Sequence, residues 1–214
     1  MGQRARRLPR CPGCGLHSEL CLCAEAPTLA LSTRFIFVQH RRERDKPTNS
    51  ARLAHKVLGG SELIHYGERD QAMETAPLTR PERDYVLLFP QEHARELTPA
   101  DGIAAPGREI AVVVLDGTWH QCSRMARRAP GVDALPCYAL PPGAPSRWGI
   151  RTPPRPGALC TYEAVTRVVG LFHGDAAAAQ MAAFFAAVTE RQWQMRGGRR
   201  EPAVEAEAED ALTE

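Results

Sequence analysis

The sequence lacks any long apolar run. No segment approaches the roughly 18 to 20 continuous apolar residues that a membrane-spanning helix needs, and the richest stretch, MAAFFAAV at 181–188, is short and flanked by polar groups. An apolar signal core is missing too: the basic MGQRARRLPR passes straight into CPGCG. A soluble, cytoplasmic protein with no membrane partner is the expectation. Excess charge of one sign is also absent, with 27 Lys and Arg against 25 Asp and Glu. Net charge by itself therefore points to neither nucleic acid nor membrane. Internal repeats are absent as well, and 214 residues suit one full-sized domain rather than two.

What charge there is lies in blocks. Residues 1–10 are basic, Arg41, Arg42 and Arg44 form a second basic cluster, and EPAVEAEAEDALTE at the end is acidic without an aromatic. A segment of that kind has too little apolar surface to offset the entropy of ordering, so 197–214 reads as a disordered tail.

Four of the seven cysteines, Cys11, Cys14, Cys21 and Cys23, fall within CPGCGLHSELCLC. A CxxC knuckle with glycines lets two thiolates approach one ion, and a following CxC pair can complete a tetrahedron. In a reducing compartment this spacing favours a closed, structural zinc site over two disulfides or ordinary buried cysteines. His17 offers a substitute ligand.

Farther on, TRFIFVQH, SELIHYG, DYVLLFP, EIAVVVLDGTW and ALPCYAL read as strands. Helices are expected after Pro47–Asn49, stopping at Gly59 and Gly60, over His120–Arg128, and in two pieces from Tyr162 to Met195 divided near Gly174. Apolar strands interleaved with helices predict an α/β fold, a mostly parallel sheet covered on both faces. Ligands bind such sheets beyond the carboxyl ends of the strands, where His40, Pro90 and Asp116 stand.

Asp116 ends VVVLD at the mouth of that sheet, Gly117 permits a turn, and Thr118 can cap the helix beginning near Trp119. A plain strand-to-helix turn accounts for the same residues equally well. Arg41, Arg42, Arg44 and Lys46 precede a helix start that suits an anion. The segment PPGAPSRWGIRTPPRPGAL at 141–159 adds Ser146, Arg147, Arg151 and Arg155, with Trp148 as a stacking surface for a base. Glu163 is either a cation-binding group or a first-turn carboxylate.

Four ordered blocks, CPGCGLHSELCLC, HRRERDKPTNSARLA, DGTWHQCSRM and PSRWGIRTPPRPGALCTYEA, resemble the motifs of the DTW-domain family from about Cys11 to about Trp193. The resemblance implies a fold related to the knotted SPOUT methyltransferases. It also implies a tRNA-uridine aminocarboxypropyltransferase, which moves the 3-amino-3-carboxypropyl group of S-adenosylmethionine to N3 of a tRNA uridine and releases methylthioadenosine.

On this reading residues 28–196 form the catalytic domain behind a zinc-bearing segment, 1–27. Asp116, Thr118 and Trp119 are implied at the catalytic centre, and His40, Leu115, Asp116, Ser146, Arg147, Thr161 and Glu163 around the donor. Thr48 and Asn49 are implied as RNA contacts, and the cationic Arg41, Arg42, Arg44, Arg151 and Arg155 are expected to join them by their charge. Ser50 stands where the family often has threonine, and Cys160 where serine is usual. No protein partner is implied, and monomer and homodimer both stay open. The rival readings are a SPOUT-type RNA methyltransferase and a non-catalytic zinc-ribbon RNA-binding protein.

Overall fold

The computed structural model describes residues 8–152 and 157–197. The basic residues 1–7, Arg155 and the acidic tail from 198 onward lie outside the described residues. Six strands form one sheet: β1 (Arg34–His40), β2 (Glu62–Tyr66), β3 (Arg83–Leu88), β4 (Arg95–Glu96), β5 (Glu109–Asp116) and β6 (Cys137–Ala139). Their order is β2-β1-β5-β3-β6-β4, and every pairing is parallel. The expected α/β architecture is present. β4 alone has no counterpart in the sequence reading, because two charged, exposed residues carry no strand pattern.

Side chains alternate across a strand, so the central pair β1 and β5 feeds two cores. Phe35, Phe37, Val112 and Val114 face one core, covered by α1 (Ser50–Val57), α3 (Thr161–His173) and α4 (Asp175–Gln194). Ile36, Val38, Val113 and Leu115 face the other, closed by Cys122, Met125 and Ala126 of α2 (Trp119–Arg128). Gly174, at φ 86°, separates α3 from α4 where the sequence placed the break. Away from that break, where the start of α3 packs on α4, Tyr162 stacks on Phe185 at 4.4 Å, and its hydroxyl donates to the Met181 carbonyl.

The two ends of the sheet differ in chemistry. At the amino ends, buried Arg83 pairs with Glu62 at 2.7 Å and Glu109 at 2.6 Å, and Glu109 also meets Arg34. That alternating row ties four strand starts together. At the carboxyl ends, His40 and Asp116 close β1 and β5, and Pro90 follows β3. Among the described residues, no helix is long and apolar enough to cross a membrane.

Because Phe37 is fully buried in a central strand, truncation leaves a void that this tightly interleaved core cannot close. Phe37→Ala is expected to lower stability by about 3–5 kcal/mol, measured as a fall in the urea midpoint.

Candidate active site

β1 and β5 pair in parallel with Gln39 opposite Asp116, and that register brings a side-chain amide to a buried carboxylate. Asp116 is 4% exposed. Its Oδ2 accepts from Gln39 Nε2 at 3.0 Å and from Asn49 Nδ2 at 2.5 Å, while Oδ1 accepts from Thr161 Oγ1 at 3.2 Å. An ionised carboxylate offers about four acceptor positions. Three are occupied among the described residues, which leaves one for whatever enters the cavity beside it. Burial pushes the Asp116 pKa up from the usual 3.8, with the Glu43 charge adding to the rise, and the Asn49, Gln39 and Thr161 bonds pull against it. The result is a carboxyl held oriented and more basic than an exposed one.

Asn49 has two roles. Its Oδ1 accepts from the Arg52 N–H at 2.7 Å, capping α1, and the same amide turns its Nδ2 toward Asp116. The turn after β5 is equally constrained. A Cβ on Gly117 would stand 3.0 Å from the Gln121 Cβ, so close approach rather than a left-handed backbone calls for glycine there. Thr118 caps α2 reciprocally: its Oγ1 accepts from the Gln121 N–H and its own N–H donates to Gln121 Oε1. Trp119 is half-buried with its ring tilted on Phe89 at 5.8 Å.

Two cavities meet at this turn. The first, of about 500 Å³, is walled mainly by apolar residues, among them Leu88, Leu115, Tyr138 and Leu140. The second, of about 390 Å³, is lined by Ser50, Asp116, Thr118, Ser146, Arg151 and others. Gly117, Trp119, Cys160 and Thr161 line both.

The proline-rich segment that roofs the second cavity is held at two points. Glu163 accepts from Ser146 Oγ at 2.6 Å, the Arg147 N–H at 2.8 Å and the Cys160 N–H at 3.1 Å, joining the loop to the start of α3. Arg151 donates to Thr48 Oγ1 at 2.9 Å and to Glu43 Oε2 at 3.1 Å, and Glu43, 1% exposed, also takes Lys46.

The structure thus brings Asp116, Thr118, Trp119, Ser146, Asn49, Arg151 and Thr161 to one rim and puts Leu115 on the adjoining wall. Arg147 is exposed at the loop edge. His40 points elsewhere, since alternation along β1 sends Gln39 to Asp116 and His40 to the opposite face. There His40 contacts Tyr66 and accepts from the Arg42 N–H. Burial, then Arg42 and Arg41, lower its pKa and favour the neutral ring.

Arg44 is paired with Glu68 at 2.6 Å, and Arg41 is half-buried beside exposed Arg42. Trp148 is no open stacking surface: it is 5% exposed, donates to Gln192 Oε1 at 3.1 Å and has the Arg151 guanidinium 5.6 Å from its ring centre. Gln39 and Glu43 escaped the sequence reading. Alternation past the end of an apolar strand was the signal available for Gln39, whereas nothing local marks one carboxylate of RRERDK as buried.

The cysteine set is compact. All four Sγ atoms lie within 4.8 Å of one another, and three of their separations are 3.4, 3.6 and 3.8 Å. A tetrahedron with metal–sulfur arms of about 2.3 Å has edges of about 3.8 Å, so the donors suit a metal ion. A Cβ on Gly13 would come within 2.7 Å of Cys23 Sγ. The Cys14 N–H draws the Cys11 thiol down to about 6, while burial lifts Cys14 and Cys23; a bound cation would hold the whole set as thiolates.

A family model described as DTW domain matches residues 8–193. The tRNA-uridine aminocarboxypropyltransferase 2 of Drosophila melanogaster is 25% identical over 173 residues, covering 77% of this chain and 67% of that protein. No solved structure matches.

Asn49→Asp keeps a cap for α1 but sets a second carboxylate against Asp116. Like charges raise the folded-state pKa above the unfolded one, so the folded variant holds a proton that the unfolded chain releases, and stability falls as pH rises. Urea unfolding is expected to show a larger deficit against wild type at about pH 8 than at about pH 5; equal deficits would mean that the two carboxylates do not share a site.

Proposed function

The chain belongs to the DTW-domain family, and from that premise we propose that it is a tRNA-uridine aminocarboxypropyltransferase. It transfers the 3-amino-3-carboxypropyl group of S-adenosylmethionine to N3 of a tRNA uridine. Asp116 is the observation that carries this reading: a buried carboxylate with raised pKa, oriented by three donors and keeping one acceptor position at a cavity. Uridine N3 bears a proton and is a weak nucleophile until it is lost. A carboxyl tuned upward toward the working pH suits that task.

Asp116 takes the N3 proton, and N3 attacks the methionine-derived carbon next to sulfur. The carbon–sulfur bond breaks with its electron pair passing to sulfur, and neutral methylthioadenosine leaves. Contact between Asp116 and the sulfonium would favour the ground state, whose positive charge the reaction removes, and so would not accelerate the step. The base therefore enters the polar cavity and the donor takes the apolar one. Their shared wall of Gly117, Trp119 and Thr161 is where the reacting atoms meet. Arg147, exposed at the loop edge rather than in either cavity wall, is the candidate for the donor's carboxylate, which a guanidinium grips through two parallel hydrogen bonds. Glu163 works through the loop, holding Ser146 and Arg147 at the rim.

The all-parallel sheet, with its loops over the carboxyl ends, supports a SPOUT-like fold. Zinc is the ion that best fits four closed thiolates. It would be structural: its ligands leave no open position, and its role is to hold the knuckle folded.

Donor labelled in the methyl or in the carboxypropyl portion, incubated with tRNA, is expected to pass only the carboxypropyl label into RNA. Methyl transfer would instead establish the methyltransferase alternative, and no transfer with donor-independent RNA binding the non-catalytic one. Asp116→Asn is expected to bind tRNA and donor yet slow turnover by about 10²–10⁴-fold. In wild type the rate should climb with pH through an apparent pKa above 3.8, and a variant with undiminished turnover would rule out the base. Metal analysis is expected to find near-stoichiometric zinc, lost in Cys14→Ser together with a fall in Tm.

A further inference from the structure

We propose that the outer face of α2 is the surface on which tRNA phosphates dock beside the target base. The inference rests on the tRNA-modifying function proposed above and adds where the polyanion lies. Cys122, Met125 and Ala126 face the core, and His120, Arg124, Arg127 and Arg128 are exposed. The arginines stand at i, i+3 and i+4, so they share one side of the helix. WHQCSRMARR contains no carboxylate, and none of these three arginines has an ion pair among the described residues.

That separates them from most of the arginines near the site. Arg44 is paired with Glu68, and Arg151 is engaged by Glu43 and Thr48. Stabilisation of the helix carboxyl end accounts for Arg127 and Arg128 in the last turn. It does not account for Arg124, a turn earlier, or for a face that carries no acid.

Position favours RNA as the occupant. α2 begins at Trp119, which lines the Asp116 cavity, and a further cavity of about 540 Å³ opens from the same tryptophan between Ser123 and Arg127 on one wall and Phe89–His93 on the other. A rise of about 1.5 Å per residue sets Arg127 about 12 Å along the axis from Trp119. The cation row therefore begins at Arg124, about 7.5 Å along the axis from Trp119, and leads away from the reaction site. Glu92 lies on the opposing wall, which keeps phosphates to the α2 side.

The test compares full-length wild type with Arg124→Ala/Arg127→Ala/Arg128→Ala, the two matched for thermal melting, with Arg191→Ala on α4 as control. The triple variant is expected to raise the KM for tRNA about tenfold or more, with kcat and the donor KM held. Its plot of log affinity against log salt should be shallower than wild type by about 2 to 2.7, at about 0.7–0.9 for each phosphate that no arginine neutralises. Arg191→Ala should change neither. Unchanged tRNA KM and salt slope in the triple variant, with wild type binding tRNA, overturns this surface and leaves the proposed activity standing. A wild type that does not bind tRNA overturns both.

Discussion

A carboxylate buried with no ion pair among the described residues is the constraint around which this molecule is organised. Taking such a charge out of water costs several kcal/mol unless hydrogen bonds replace the lost hydration. At Asp116 the replacements are neutral: an amide from β1, an amide from the loop before α1 and a hydroxyl from the start of α3. The three come from three different elements. Each must arrive on an element whose own position is fixed, and much of the fold does that work. Parallel register aligns Gln39, the α1 cap orients Asn49, and the packing of α3 on α1 and α4 sets Thr161.

Around that centre, charged groups act mostly as fasteners. Glu163 holds Ser146 and the Arg147 N–H and Glu43 holds Arg151, so two described parts of the proline-rich loop are fixed at the polar cavity. Side chains that look like ligand contacts in a linear sequence are in part internal ties, and the electrostatics available to an outside partner move to what is left uncovered.

Much of this was legible in the sequence. Five of six strands, the helix start after Asn49, the cap at Thr118 and the break at Gly174 all follow from local chemistry: apolar runs, a hydroxyl cap, glycine. Asp116 at a strand mouth was equally visible. What escaped depends on long-range placement. Gln39 matters only because β1 lies beside β5; Glu43 is buried only because Arg151 comes from 108 positions away to meet it; and Trp148, flanked by arginines in the chain, turns inward because Phe185 and Gln192 of α4 receive it. His40 and Gln39 are neighbours that the two-residue period of a strand sends to opposite faces, so only Gln39 reaches Asp116.

Gly15 lies in the cysteine knuckle at φ +74°, and a Cβ there would meet the Pro47 carbonyl oxygen at 2.2 Å. Pro47 is two residues from Asn49. The knuckle is thus seated, backbone against backbone, on the loop that supplies a donor to Asp116, and Cys14, Leu16 and Leu22 share a core with α1. It is not an interchangeable module. The two stretches form one packed unit although more than twenty residues of chain separate Cys23 from Pro47, so a change in the backbone of either is felt by the other.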